Sequence, residues 1–229
     1  MTLALKMPLP QQRSAALTAG LSIITMAILA IFSIGYAFGQ LIILEDAIMT
    51  MNNIQQDISL FVLGIIGLIL IFICDLLASW GLWGYFKRFD ETRSKWMAGF
   101  RLVYTIILGI AITTLVLILP HLPNSTLSAS EVLNQIQNFY TIWSFGLIIF
   151  GLHLLFLGFI ALRETPVPKT ISWLLLIAAV GYLFNNIASL SSDHYLHYKP
   201  IVEMIFSLPM IFGELGLGIW LIVQNNKKS

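Results

Sequence analysis

Charged side chains are scarce in this sequence: 12 Lys and Arg with 11 Asp and Glu make only 10% of 229 residues. A soluble domain carries about 25%, so this chain lacks the polar surface needed to face water on all sides. Cysteine is nearly absent. The one present, Cys74, excludes an intrachain disulfide, and its apolar surroundings read as packing rather than as a reactive thiol. Long polar segments are missing too. KRFDETRSK and RETPVPK, the basic connections, are too short for a nucleotide fold or a DNA-binding helix pair. The Lys87–Lys95 stretch suits anionic lipid headgroups, and no nucleic-acid partner is expected.

What fills the sequence instead is hydrocarbon: 58% hydrophobic residues and a mean hydropathy of +0.89. Crossing about 30 Å of bilayer core takes roughly 20 apolar residues as a helix. Six such runs occur, at approximately 15–38, 58–85, 97–119, 139–162, 171–190 and 201–223. All must be helices, because lipid offers no partner to unpaired backbone groups. The expected fold is therefore an all-α integral membrane bundle of six transmembrane helices in one domain, residues 1–229. Lys6 and Arg13 ahead of the first run imitate a secretory signal. The run from Ser14 to Phe38 outlasts a signal core of about 7–15 residues, so it reads as an uncleaved span.

Placement of the basic residues gives a direction. With the N-terminus inside, eleven Lys and Arg fall on the cytoplasmic side and only Lys199 outside, a positive-inside distribution with both termini cytoplasmic. In the outer loop PHLPNSTLSASEVLNQIQNFY, Ser128 and Glu131 fit a capping box. Val132, Leu133, Ile136 and Phe139 supply one apolar face, so a short interfacial helix is expected there. Gly35 and Gly39 have the small-xxx-small spacing of a helix contact.

Within the spans, ionisable groups call for explanation. Asp75, His153 and Glu214 lie in the second, fourth and sixth runs, each about ten residues from the inner end at about 1.5 Å per residue, hence near one depth. Tyr104 lies within a turn or so of that level. Arg101 starts nearer the inner face, from where it can reach upward or snorkel to phosphate. A carboxylate at mid-bilayer costs about 2.5–3.5 kcal/mol on insertion scales, a cost Leu would avoid. Gly64, Gly67, Ile71, Cys74, Asp75, Ala78 and Ser79 share one helical face rich in small residues, which points Asp75 into the bundle. Gly146, Phe150 and His153 do the same in the fourth run, and Ser207, Glu214 and Gly218 in the sixth.

These residues admit three readings. In the first, Asp75, His153 and Glu214, with Arg101 and Tyr104, line an intramembrane pocket for a small polar ligand, a cation or a proton. In the second, they serve helix packing in a structural or regulatory subunit, Asp75 pairing with Arg101 or His153. The third is a metal-dependent intramembrane enzyme, but no nucleophile sits in a recognisable setting, and three helices supply no diagnostic ligand spacing. The sequence leans away from an enzyme. Asp193, His194 and His197, with His121 on another loop, form a weaker outer metal candidate that a solvated loop explains better.

Asp75 followed by ASWGLWGYFK, then FGLHLLFLGFIALR, Pro168-Lys169, AAVGYL and GELGLGIWLIV occur in an order that resembles the uncharacterised bacterial membrane family called domain of unknown function 4386. The likeness runs from about the first span to the C-terminus. It implies a multi-pass protein of the bacterial cytoplasmic (inner) membrane, with the lipid bilayer as its medium. The family pattern has an Asp in the second span, a His in the fourth and Gly-Glu in the sixth, matching Asp75, His153 and Glu214. The resemblance brings no reaction, and no cofactor is expected.

Overall fold

In a computed structural model of the chain, the structure describes residues 10–122, 126–163, 165–191, 195 and 197–226. Six helices among them are long and apolar enough to cross a membrane. The first, α1 (Pro10–Ala30), continues as a π-helical segment, Ile31–Phe38, and a last turn, Gly39–Leu41. After a short helix α2 (Ala47–Gln56) come α3 (Ile58–Phe86), α4 (Glu91–Val116), α5 (Ala129–Leu162), α6 (Lys169–Ser191) and α7 (Lys199–Asn226).

The few acids near the helix ends satisfy backbone donors that lipid cannot. Asp46, Asp57 and Asp90 each accept the N–H three residues on, at 2.9 Å, and so cap α2, α3 and α4. Ser128 and Glu131 form the expected capping box. The helix they open is not a separate interfacial piece, however. It runs unbroken from Ala129 to Leu162, because Val132, Ile136 and Phe139 face the bundle interior and are buried in register with the rest of the span. The short helix that does exist outside the spans is α2, which buries Thr50, Met51 and Ile54 against α5 and α3.

Each spanning helix packs on its sequence neighbours, and α1 also packs on α7, so the six close into a ring in chain order. Without a hydrophobic drive between helices in lipid, close backbone approach supplies the contact. At Gly81 a Cβ would come within 2.7 Å of the Ala15 carbonyl oxygen and 2.8 Å of the Ala19 nitrogen, so α1 and α3 touch backbone to backbone. At Gly20 it would lie 2.7 Å from the Gly218 carbonyl oxygen, which seals α1 to α7 at that level. Gly35 and Gly39 behave differently. Both are exposed and neither meets another helix, since the π winding buries Ser33, Ala37 and Phe38 instead. Their spacing is no contact within this chain.

Aromatic clusters fill both ends of the ring. Phe38 packs on Phe61 and Phe139, with centroids 5.8 and 6.3 Å away, beside the covering α2. At the opposite end Tyr85 meets Phe86 and Trp220 at 5.0 and 6.1 Å. Substituting Gly81→Val should lower the midpoint of thermal unfolding in detergent, by an overpacking penalty of about 1–3 kcal/mol. Gly35→Ala, with nothing near its new methyl, should leave that midpoint unchanged.

Candidate functional site

Between the two aromatic ends lies a cavity of about 320 Å³, to which all six spans contribute side chains. Its lining is mostly aliphatic and aromatic. Asp75, Arg101, Tyr104, Trp143, Tyr182 and Glu214 are the lining residues with polar groups.

Asp75 is 2% exposed, on the small-residue face of α3 that packs inward. Arg101 on α4 is equally buried, and its Nη2 donates to Asp75 Oδ1 at 2.5 Å. Nη1 lies 3.1 Å from His153 Nε2 on α5. A guanidinium has only donors, so Nε2 must accept. The ring proton is then on Nδ1, which donates to the Met97 carbonyl at 2.8 Å. Nη2 also reaches Met26 Sδ on α1 at 3.6 Å, and the guanidinium sits 5.3 Å from the Phe150 ring centroid. One cation thus joins four helices: α1, α3, α4 and α5. Its Nε is sealed from solvent and has no hydrogen-bond partner among the described residues.

Glu214 is elsewhere on the same wall. Half-buried on α7, it accepts from the Tyr182 hydroxyl of α6 at 3.3 Å. Tyr104 accepts from Trp143 Nε1 at 3.3 Å. Phe150 packs between Tyr104 and Tyr182, with centroids 4.8 and 5.3 Å away. The three ionisable residues singled out in the sequence are therefore not joined by one hydrogen-bond network among the described residues. Asp75 and His153 meet through Arg101, and His153 stands behind it without lining the cavity. Glu214 shares the cavity with Asp75 and makes no hydrogen bond to that network among the described residues. Neither Tyr182 nor Trp143 is a site candidate by sequence, where Trp143 reads as a marker of the outer headgroup level; the AAVGYL stretch offers Tyr182 as an aromatic among aliphatics, with nothing to mark its hydroxyl as useful.

None of the remaining candidates among the described residues lines the cavity. Asp193 and His194 lie outside the described residues. His121 Nδ1 is 2.6 Å from Thr126 Oγ1 on its own loop, and no group of three or more His, Cys, Asp or Glu that could hold a metal ion gathers among the described residues, His197 included. Asn185 bridges α6 to α7 through Glu203 at 3.3 Å, whereas Asn186 bonds the Tyr182 carbonyl of its own helix at 2.9 Å. Ser207, expected on the inward face of α7, bonds the Met204 carbonyl within that helix.

Removing one partner of a buried ion pair strands the other. Arg101→Leu should therefore destabilise by about 3–5 kcal/mol, read as a lowered unfolding midpoint in detergent. The double variant Asp75→Leu/Arg101→Leu should recover most of that loss.

No solved structure matches this chain. An uncharacterised protein of Archaeoglobus fulgidus is 27% identical over 165 residues, covering 72% of this chain and 85% of that protein. A family model described as "Domain of unknown function (DUF4386)" matches residues 18–224. The chain is a six-span membrane protein of the DUF4386 family.

Proposed function

We propose that this protein binds a small molecule in the cavity of its helical ring, holding the ligand's polar group at Glu214, Tyr182 and Tyr104. The observation that carries this reading is a cavity of about 320 Å³, near the lower end of small-molecule sites at about 300–1,000 Å³, with a carboxyl group on its wall. Asp75, Arg101 and His153 act beside it as a positioning network that locks α3, α4 and α5 together. An intramembrane carboxylate is costly to keep, and Asp75 is compensated by Arg101. Among the described residues Glu214 has only a tyrosine hydroxyl as hydrogen-bond partner, which leaves it available to a ligand.

A second reading is favoured by the Arg101 network itself: a membrane subunit whose buried polar groups serve only packing. Thermal-shift screening of small amphiphiles and ions against purified protein separates the two. Binding is expected to raise the midpoint for some compounds, with the rise lost in Glu214→Gln and Tyr182→Phe and kept in Glu203→Gln. A panel with no effect on the wild-type midpoint would leave packing as the role.

The charge distribution supports residence in a cytoplasmic membrane with both termini inside, since ten of the twelve Lys and Arg then fall on the cytoplasmic side of the spans, Lys199 falls outside and Arg101 is buried within the bundle. A C-terminal green-fluorescent fusion should fluoresce and a C-terminal alkaline-phosphatase fusion should be inactive. The opposite pair of results would invert the topology.

A further inference from the structure

We infer that the cavity takes a lipophilic monocation, an organic ammonium with an apolar body, admitted sideways from the lipid between the π-helical segment and α7. The assignment rests on the reading of the cavity as a binding site and narrows it to a ligand class.

Charge comes first. The cavity wall carries one guanidinium and two carboxyl groups: Arg101, Asp75 and Glu214. Arg101 is committed to Asp75 at 2.5 Å, so the pair cancels and Glu214 faces the cavity with no cation bonded to it among the described residues. A monocation completes the balance. An anion would meet two carboxyl groups with the only guanidinium already engaged.

The surroundings decide what kind of cation. A hard metal ion takes about six oxygen ligands, and the side chains of the cavity wall offer only the carboxyl groups of Glu214 and the Arg101-paired Asp75 and the hydroxyls of Tyr182 and Tyr104. Around them stand the rings of Tyr104, Trp143 and Tyr182 and the side chains of Ile23, Leu68 and Leu147. Aromatic faces attract an alkylammonium, and the attraction grows when water is excluded. Aliphatic walls accept its apolar part.

Access points the same way. The bundle ends are filled by the Phe38–Phe61–Phe139 and Tyr85–Phe86–Trp220 clusters. Helices α1 and α7 pack together around Gly20 and Gly218. Beyond Ala30 the π segment packs on α3 and makes no comparable contact with α7. Ile31 and Ile211 line the cavity on either side of this gap and are 72% and 50% exposed. Their neighbours on α7, Met204, Ile205 and Leu208, are exposed and apolar as well. The opening is thus bordered by side chains suited to acyl chains rather than water, and it favours a solute that partitions into the bilayer.

The test uses three probes of one shape in nanodiscs of zwitterionic lipid: phenyltrimethylammonium, its neutral isostere tert-butylbenzene, and benzenesulfonate. Calorimetry should show saturable binding of the cation, tighter than the neutral probe, and none of the anion. Glu214→Gln, checked for an unchanged helical spectrum, should weaken the cation by about tenfold or more and leave the neutral probe unaffected. Glu203→Gln should change neither. Bulky substitution at the gap, Ile31→Trp with Ile211→Trp, should slow cation association. Equal binding of cation and neutral probe, insensitive to Glu214→Gln, would overturn the ligand class while the cavity remains a binding site. Absence of saturable binding by all three would overturn both.

Discussion

Hydrocarbon supplies no hydrogen-bond partner, so every polar group within the spans must be answered by another part of the chain. The most demanding case is the Arg101 guanidinium, a cation with five donors buried at mid-helix. Asp75, His153, Met26 and the face of Phe150 gather around it from three other helices. The consequence is geometric. Helices α1, α3, α4 and α5 can rotate or slide only by breaking those contacts, and any slip exposes a charge to lipid. Compared with a hydrophobic core, such a pair adds little net stability; what it supplies is register. Among the described residues Nε remains without a partner, so the network is tight without being complete.

The other half of the ring is held differently. Helices α6 and α7 join it through close packing at glycines and are tied to each other by Asn185–Glu203 and Tyr182–Glu214 at 3.3 Å, bonds fewer than those around Arg101 and longer than its bonds to Asp75 and His153. The first half of α7 contains Pro209, which removes one backbone donor, and it is exposed on most of its sides. A firmly registered half facing a looser one leaves space between them, and the cavity lies there. The π segment contributes by turning its buried face toward α3 rather than toward α7. Such windings in α-helices recur at functional sites, and here it borders the side opening.

Much of this architecture was legible in the residues. Six apolar runs correspond to the six long apolar helices, because length and hydropathy are local properties that lipid enforces. The inward face of Asp75 followed from the small residues at its helical spacing, and Gly64, Gly67, Ala78 and Ser79 are buried with it. The capping box at Ser128 was legible as a start; where its helix ends was not, since an amphipathic turn in an interface and the first turns of a buried span have the same pattern. Helix α2 was missed because its buried apolar residues Met51 and Ile54 are separated by polar ones and no long apolar run marks it. The spacing of Gly35 and Gly39 assumed an α winding that the π segment does not have.

Sequence by itself determined that this chain is a six-helix membrane protein and that its few ionisable side chains must find company, because both follow from the free energy of placing single residues in hydrocarbon. Which partner each one takes is decided only by the tertiary structure. Arg101 could reach headgroups, Asp75 or His153, and Glu214 could have joined them. The rotation and lateral order of six packed helices select one arrangement, since direct pairing needs partners within about 3 Å, a distance no sequence spacing encodes across separate helices. The empty space among them is a property of the ring as a whole.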